Sequence, residues 1–436
     1  MRGRIEETVG RLRAAGAASG DRVGVICEPC REMFVLTLAC WRMGATIVPV
    51  STRYPAEKVR DALESVGCGL VLGRAVDGGP RVQAMGDFVD GGAECGGVGF
   101  EELGLEMEAG ASIIFTSGSS GEPKGVFHTM GNHYYSALGS NTNIPFGGGD
   151  GWLASLAVYH VGGFSLIGRA LTGGGRIVFG RAGETLAESI MRCDVTHVSL
   201  VPTQLLRLLE APGCVNRLRG LKAILLGGEA ISAKLLERAA GLGLPVCISY
   251  GCTEAASQVA TSAPGRLGEG AKVLPYRELK IAADGEICLR GRTLFAGYVR
   301  GEAIDESRDE DGWFHTQDVG EMERDGSLRV KGRKDLMFVS GGENVHPEEI
   351  ERAMLSVDGV ERAAVVDVED AEFIRRPVAF VKVKDNGAID GEAIRAALGE
   401  RLERFKIPKA IHAWPEWLSE ALKPSRQRLR EIASGL

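Results

Sequence analysis

Short apolar runs alternate with helical patterns through residues 1–270, and this alternation limits the fold more than any other feature of the chain. Runs this short, with helical patterns between them, are typical of buried strands in parallel sheets. They are residues 23–27, 46–50, 69–72, 113–115, 177–179, 198–201, 223–226 and 246–249. Helical patterns are clearest at residues 31–42 and 203–209. The sequence therefore predicts an α/β fold built on parallel sheets.

The pattern changes after residue 278, where hairpin signals appear. Asp-Gly pairs at 284–285 and 325–326 lie between apolar residues, which predicts tight turns between antiparallel strands. We expect a large N-terminal domain of α/β sheets over residues 1–334, with a β-rich subdomain at about 270–334. Residues 335–436 follow a strand, helix, strand, strand, helix pattern, with helices at 347–355 and 391–402. This pattern predicts a small α+β C-terminal domain with its boundary at Asp335.

Composition and charge exclude several classes of protein. With 436 residues, the chain is too long for one hydrophobic core. Its net charge is −7 and it has no long basic block, so no nucleic-acid partner is expected. No apolar run is long enough to span a membrane, and the charged N-terminus does not resemble a signal peptide. Cys27 and Cys30 form the single CxxC motif, so we expect reduced thiols in a cytoplasmic protein instead of a zinc site.

A glycine- and hydroxyl-rich segment, SIIFTSGSSGEPKGV at residues 112–126, follows one of the predicted strands. Backbone amides and hydroxyls in such a loop can surround a polyphosphate while Lys124 neutralises its charge. A Walker A loop does not fit, because this lysine follows Pro123 and precedes Gly125. The alternative is a solvated surface loop, but the length of the pattern favours a phosphate-binding loop.

The segment resembles the phosphate loop of the adenylate-forming superfamily, which contains acyl-CoA synthetases, luciferases and the adenylation domains of peptide synthetases. Other segments match that superfamily in the same order along the chain. They are LGGE at 226–229, YGCTE at 250–254, TQD at 316–318, GRKD at 332–335, SGGEN at 340–344 and PEEI at 347–350. The resemblance implies an enzyme that joins a carboxylate to ATP as an acyl adenylate and then transfers the acyl group to a thiol. The SGGEN form is closer to CoA ligases, so the implied cofactors are ATP, Mg²⁺ and the co-substrate CoA.

The resemblance also implies roles for individual residues in binding the nucleotide. The residues expected around the β- and γ-phosphates are Thr116, Ser117, Gly118, Ser119, Ser120, Gly121 and Lys124. Thr253 is expected at the α-phosphate, and Glu254 is expected to ligate Mg²⁺. The residues expected around adenine and ribose are Gly227, Gly228, Glu229, Tyr250, Gly251, Asp318 and Arg333. Taken singly, each has a plain structural alternative, such as a surface ion pair or a core tyrosine. The ordered set favours the site.

Adenylate formation and acyl transfer to the thiol need two arrangements of the small domain. The resemblance implies that this domain rotates about a hinge at Asp335. Gly341 and Gly342 would border the passage for the pantetheine arm of CoA. Lys423 is the candidate catalytic lysine for adenylation, with Lys406 and Lys409 as rivals. The chain departs from the family at three points. Leu422 stands where glycine usually precedes the lysine, Pro424 follows it, and Gln317 replaces the glycine before the ribose aspartate.

The identity of the carboxylic acid substrate is suggested by residues 158–164, VYHVGGF, together with Arg169 and the segments 199–209 and 221–228. These resemble one subfamily, the o-succinylbenzoate–CoA ligases of menaquinone synthesis. That acid has a second carboxylate, and a buried carboxylate needs a cation or several donors. His160 and Arg169 are candidates for this role, with a snorkelling surface arginine as the alternative for Arg169. The polar residues expected to line the acyl pocket are Ser257, Gln258 and Thr261.

Two alternatives remain open from the sequence. One is a ligase of the same chemistry for another aryl or fatty acid. The other, from a different class, is a non-catalytic nucleotide-binding or carrier-loading module. The expected partners are a small-molecule carboxylic acid, ATP and CoA, and assembly into a homo-oligomer is left open.

Overall fold

The computed structural model describes residues 1–73, 83, 99–117, 123–229, 231–370, 372–384, 389–418 and 425–435. The helices within these residues are α1 (Arg2–Ala14), α2 (Arg31–Met43), α3 (Ala56–Ser65), α4 (Phe100–Leu103), α5 (Met130–Asn143), α6 (Val161–Gly173), α7 (Leu186–Arg192), α8 (Pro202–Glu210), α9 (Cys214–Arg219), α10 (Ala233–Gly241), α11 (Pro347–Met354), α12 (Gly391–Gly399) and α13 (Arg426–Gly435). No helix in these ranges combines the length and the apolar character that crossing a bilayer requires.

The strands of the same residues include all eight of the predicted apolar runs. They are β1 (Arg22–Ile26), β2 (Thr46–Pro49), β3 (Leu70–Gly73), β4 (Gly110–Ser117), β5 (Pro123–Thr129), β6 (Gly151–Leu153), β7 (Arg176–Val178), β8 (His197–Leu200), β9 (Ala223–Gly227), β10 (Val246–Cys252), β11 (Ser257–Thr261), β12 (Ala271–Val273), β13 (Arg277–Ile281), β14 (Glu286–Gly291), β15 (Gly297–Arg300), β16 (Ala303–Asp305), β17 (Phe314–Met322), β18 (Ser327–Arg333), β19 (Phe338–Ser340), β20 (Glu343–Val345), β21 (Val360–Asp370), β22 (Ile374–Val383) and β23 (Ala410–Ala413).

Two large sheets carry most of the described strands. The first sheet has the order β16-β15-β5-β4-β2-β1-β3, and the second has the order β13-β14-β17-β18-β12-β11-β10-β9-β8-β6-β7. Strands β3, β1, β2 and β4 run parallel in the first sheet, as do β7, β6, β8, β9 and β10 in the second. The predicted α/β fold with parallel sheets is therefore confirmed.

Helices α2 and α5 show how local sequence sets the elements around the first sheet. Helix α2 is buried along most of its length and packs between α1 and the sheet, and it ends at Gly44, whose φ of 79° suits glycine. Helix α5 begins directly after β5. The Thr129 side chain accepts from the amide of Asn132, and the Asn132 side chain accepts from the amide of Thr129. This capping box fixes where β5 ends.

The strands expected as a β-rich subdomain extend the two large sheets. Strands β12, β13, β14, β17 and β18 lie in the second sheet, while β15 crosses to the first sheet and pairs with β5. Gly297 is opposite Phe127 and Tyr298 is opposite Val126 in that pairing. Between β14 and β17 the chain therefore joins the two sheets, and this junction lies beside the predicted phosphate loop.

The C-terminal part has its own layers. Strands β21, β22 and β23 form one sheet, β19 and β20 form a hairpin, and α11, α12 and α13 pack beside them. Its apolar clusters contain residues from Phe338 onward only, within the described chain. Arg352 donates to the carbonyls of Val330 and Lys331, at 3.1 and 2.7 Å, and links α11 to β18. The boundary at Asp335 stays a prediction.

Candidate functional site

The described residues on either side of the predicted phosphate loop lie in two paired antiparallel strands. Strand β4 ends with Thr116 and Ser117, and β5 returns antiparallel with Thr116 opposite Lys124. Lys124 is therefore an exposed residue of a strand, close to the point where β4 ends. The predictions for Gly118, Ser119, Ser120 and Gly121 fall outside the described residues.

Lys124 and Glu254, which the sequence places far apart, both contact one tyrosine. Tyr298 on β15 donates its hydroxyl to Oε1 of Glu254 at 2.8 Å. The Nζ atom of Lys124 lies 5.3 Å from the centroid of the same ring. Burial and the Glu254 carboxylate raise the pKa of Tyr298 far above its usual value, so the phenol remains a donor. The first sheet thus supplies the cation and the second sheet supplies the carboxylate.

The turn that carries Thr253 and Glu254 is held by two hydrogen bonds to its backbone carbonyls, one of them from β5 of the first sheet. Thr253–Ala255 forms a 3₁₀ turn directly after β10. The amide of Phe295 donates to the carbonyl of Glu254 at 2.7 Å, and Nε2 of His128 lies 2.8 Å from the carbonyl of Thr253. Burial lowers the pKa of His128 to about 4, so the neutral ring donates through Nε2. These contacts fix the position of the turn relative to β5.

Tyr250, Asp318 and Arg333, which were predicted to lie around adenine and ribose, are in contact in the structure. The Tyr250 hydroxyl donates to Oδ2 of Asp318 at 2.6 Å, and Arg333 Nη1 lies 3.5 Å from Oδ1 of the same carboxylate. Asp318 and Arg333 are direct partners in the β17–β18 pairing. Burial raises the pKa of both Asp318 and Tyr250. Arg333 also bonds both carboxylate oxygens of Asp335, at 3.0 Å each, which ties the predicted hinge to this cluster.

Three predicted glycines lie where a side chain is disfavoured, two of them by close packing and one by its backbone angle. A Cβ on Gly227 would be 2.7 Å from the carbonyl oxygen of Ser249, and a Cβ on Gly251 would be 2.0 Å from that of Ser257. Gly228 has a φ of 85°, which favours glycine. The β10–β11 pairing shifts register between Tyr250 and Gly251. The backbone is therefore closely packed on the predicted adenine side.

Glu229, at the end of this glycine segment, is half-buried and lies near the C-terminal part of the chain. Burial lowers the pKa of Arg362 on β21, and the Glu229 carboxylate acts against that shift. Gly341 and Gly342 have φ values of 60° and 89° in the β19–β20 hairpin. The prediction for Lys423 falls outside the described residues.

Gln317 stands where the family usually has glycine, and its backbone has a left-handed φ of 63°. Its amide and its Nε2 both donate to Oε1 of Glu286, at 2.9 and 3.0 Å. Glu286 is 3% exposed and also accepts from Nζ of Lys334 at 3.0 Å. The glutamine side chain therefore adds a bond that offsets part of the cost of a left-handed non-glycine residue.

Variants of Gln317 are expected to separate strain from hydrogen bonding. Gln317→Ala keeps the left-handed residue and loses the side-chain bond, so the free energy of unfolding should fall by about 1 kcal/mol. Gln317→Gly loses the same bond but removes the strain, so its stability should stay within about 0.5 kcal/mol of the parent. Urea unfolding of the three proteins measures this order. Equal losses in the two variants would contradict the reading of Gln317 as strained.

Arg169 on α6 is a buried cation with spare donors. It is 1% exposed, and its guanidinium lies 4.8 Å from the centre of the Trp152 ring. Nη2 donates to Oε1 of Gln258 at 3.2 Å, while Nε and Nη1 have no hydrogen-bond partner in the described structure. Burial lowers the pKa of Arg169 to about 10, so it stays charged at neutral pH. Two free donors on a buried cation are suited to a carboxylate ligand.

The surroundings of Arg169 contain a second buried arginine. Arg277 donates to the carbonyls of Gln258, Pro275 and Ser136, so its own donors are used. Burial and the charge of Arg169 lower the pKa of Arg277 to about 9. Among the described residues, no carboxylate lies within ion-pair distance of either guanidinium. The local field therefore favours an anion.

The other predicted acyl-site residues divide into two groups. Ser257, Gln258 and Thr261 are buried on β11, and Gln258 donates to the Thr261 hydroxyl at 3.2 Å. His160 is exposed and precedes α6 as its N-cap residue. Its backbone is extended, with a φ of −109° and a ψ of 142°, so the helix begins after it. The structure joins Gln258 to Arg169 by a hydrogen bond, and the role of His160 stays a prediction.

Three residues of this region were not identified from the sequence. Tyr298 and His128 each hold a predicted site residue in place, and Glu286 holds Gln317, which precedes one. None of the three lies in the motifs that carried the resemblance. His128 and Tyr298 reach the site through the β5–β15 pairing and through packing between the sheets. A sequence pattern contains no direct signal for such long-range contacts.

Glu254 fits a magnesium ion that is bound together with a nucleotide. Within the described residues, one hydroxyl donates to its Oε1 and no group donates to its Oε2. No described cluster of His, Cys, Asp or Glu could hold a metal without other ligands. Magnesium commonly binds through one or two carboxylates together with substrate phosphates and water. This donor set fits an ion that arrives with ATP.

Comparisons with known proteins agree with this geometry. The model of the AMP-binding enzyme family matches residues 4–299, and that of the AMP-binding enzyme C-terminal domain matches residues 349–420. The 2-succinylbenzoate–CoA ligase of Bacillus licheniformis is 34% identical over 429 residues, which are 93% of this chain and 88% of the relative.

Two solved structures of o-succinylbenzoate CoA synthetase (MenE) from Bacillus subtilis are similar over most of both chains. The complex with the acyl-adenylate intermediate OSB-AMP has a TM-score of 0.84 and 29% identity, covering 98% of this chain and 92% of that one. The complex with ATP and magnesium ion has a TM-score of 0.82 and 29% identity, covering 94% and 89%. The predicted large sheet-rich part with a small C-terminal part is the fold of these proteins.

Proposed function

Because the chain belongs to the AMP-binding enzyme family, we propose that it activates 2-succinylbenzoate with ATP and transfers the acyl group to coenzyme A. The observation that carries the choice of acid is Arg169, a buried guanidinium with two unpaired nitrogens and no carboxylate partner in the described structure. The acid has two carboxylates, so one can react while the other binds this cation. The setting we propose is the cytoplasm, within menaquinone synthesis.

In the first step, one substrate carboxylate attacks the α-phosphorus of ATP, and pyrophosphate leaves. The attack brings two anions together, so the site must neutralise charge and hold the reactants in line. Lys124 and the loop after β4 are the groups that would bind the β- and γ-phosphates. Magnesium, bound with ATP at Glu254, would supply further positive charge at the phosphates. Thr253, in the same turn, would contact the α-phosphate.

The nucleoside would be held by the cluster around Asp318. A carboxylate can accept hydrogen bonds from both ribose hydroxyls, and its bond from Tyr250 orients it. Arg333 lies beside the same carboxylate and also holds Asp335. Gly227, Gly228 and Gly251 would form the backbone beside the adenine, where close strand packing or a left-handed φ requires glycine.

In the second step, the thiol of CoA attacks the acyl carbonyl and AMP leaves. The proposed hinge at Asp335 would allow the small domain to present Lys423 for the first step and the Gly341–Gly342 hairpin for the second. The bond pair between Arg333 and Asp335 would have to adjust during that rotation. CoA binding and self-association are part of this proposal.

The experiment that tests the proposal is product analysis by mass spectrometry. Purified protein is incubated with ATP, Mg²⁺ and CoA, and with 2-succinylbenzoate, benzoate, a medium-chain fatty acid or no acid. The expected result is a CoA thioester with 2-succinylbenzoate alone. A thioester with another acid would keep the chemistry and overturn the choice of substrate.

The alternative of a non-catalytic module is tested with Lys423→Ala. A ligase should lose adenylate formation by about 10²-fold or more, because the charge at the reacting groups is lost. It should still transfer the acyl group from preformed 2-succinylbenzoyl adenylate to CoA. Both half-reactions are followed by liquid chromatography. A parent protein that performs neither half-reaction would favour the binding module.

A further inference from the structure

We propose that Tyr298 is a positioning residue that fixes the metal-binding carboxylate of Glu254 and keeps it apart from Lys124. This inference rests on the proposed function, because it assigns Glu254 to magnesium and Lys124 to the phosphates of ATP. It adds a residue from outside the motifs and gives that residue two separate tasks.

The geometry puts Tyr298 in contact with both charged groups. Its hydroxyl donates to Oε1 of Glu254 at 2.8 Å, and its ring centroid lies 5.3 Å from Nζ of Lys124. Lys124 and Glu254 have opposite charges, and both contact this one tyrosine side chain. Even so, within the described residues neither of them forms an ion pair.

Direct pairing of these two groups would oppose the reaction. A lysine bound to Glu254 would neutralise the charge that attracts magnesium, and the same lysine would be lost to the phosphates. A phenol donates one hydrogen bond and leaves the carboxylate fully charged. It also fixes the carboxylate so that Oε2, which has no donor in the described structure, is left for a metal ion.

The backbone around Tyr298 holds the ring in this position. Tyr298 is opposite Val126 in the β5–β15 pairing, two residues beyond Lys124. Its ring packs edge-on against Phe295, with centroids 4.9 Å apart. The amide of Phe295 in turn donates to the carbonyl of Glu254. Tyrosine and carboxylate are therefore fixed to each other by a side-chain bond and a backbone bond.

The test is Tyr298→Phe in the full-length protein. Equilibrium binding of Mn²⁺ to the enzyme–ATP complex is measured by electron paramagnetic resonance, and pyrophosphate release is measured against free Mg²⁺. We expect Mn²⁺ binding to weaken by about tenfold, and the Mg²⁺ concentration for half-maximal rate to rise by a similar factor. Transfer from preformed 2-succinylbenzoyl adenylate to CoA, which involves no pyrophosphate group, should stay within about twofold.

Tyr276→Phe is the matched control, because Tyr276 is a half-exposed tyrosine outside the site. It should change neither metal binding nor either half-reaction. Unchanged Mn²⁺ binding in Tyr298→Phe, or an equal loss in both half-reactions, would overturn the inference. Failure of the parent protein to form the thioester would instead overturn the proposed function, and Mn²⁺ binding by EPR would still report on Tyr298.

Discussion

Arg169→Met is expected to lower kcat/KM for 2-succinylbenzoate by about 10² to 10³-fold, because a buried carboxylate loses its cation. The same change should leave kcat/KM for 4-oxo-4-phenylbutanoate within about threefold. That acid has the same keto chain with its reacting carboxylate and lacks the ring carboxylate, which is the distal one. Steady-state kinetics are measured with both acids on the parent and on the variant. Comparing the two losses in kcat/KM isolates the contact between Arg169 and the distal carboxylate.

The unliganded protein supplies the control for this prediction. Arg169 is buried beside Arg277 without a carboxylate partner in the described structure, so removing its charge removes a desolvation cost. Thermal unfolding of Arg169→Met without ligand should therefore occur at the parental temperature or above it. A loss of activity that is equal for both acids would show that Arg169 supports the fold of the pocket and does not bind the distal carboxylate.

Gly251→Ala is expected to remove nucleotide binding and to lower the free energy of unfolding by about 3 kcal/mol. The new Cβ would lie 2.0 Å from the carbonyl oxygen of Ser257 and 2.8 Å from its carbon, and both are backbone atoms. Strands β10 and β11 would have to separate at their register shift, which would move Tyr250 and Thr253 from their partners. AMP binding by calorimetry and urea unfolding measure the two effects.

Gly268→Ala is the matched substitution for this experiment. Gly268 lies in the same domain, a Cβ there would meet no atom within 4 Å, and its φ is not in the left-handed region. The control should keep both AMP affinity and stability. If Gly251→Ala also kept both, the close approach of the two strands would be of no consequence for the site.

Much of the fold follows from sequence patterns, and the resemblance to a family supplies the candidate residues of the site. The apolar runs predict the parallel strands because each run is long enough to cross a buried sheet. The ordered motifs predict Asp318 beside Arg333 and Tyr250, which the structure brings together through neighbouring strands. The resemblance supplies the residues of this cluster, whereas the contact between Tyr250 and Asp318 joins strands that are far apart in the sequence.

The remaining parts depend on contacts that no local pattern determines. The sequence predicts hairpins after residue 278. It does not predict that β15 pairs with β5 in the first sheet while the strands before and after it lie in the second. Tyr298 therefore has no sequence signal that places it at Glu254. The departure at Gln317 is visible in the sequence, whereas its bond to Glu286 depends on a strand that begins about thirty residues earlier.

The crossing of β15 between the sheets also bears on how the chain folds during synthesis. The hairpin of β4 and β5 leaves the ribosome long before β15, so the edge of β5 has to wait for its partner strand. Pairings of such high sequence separation form slowly, since a long loop must close first. An exposed strand edge is a place where nascent chains associate wrongly. A bound nucleotide would contact both sheets at once, and so could act as a template for the last stage of folding.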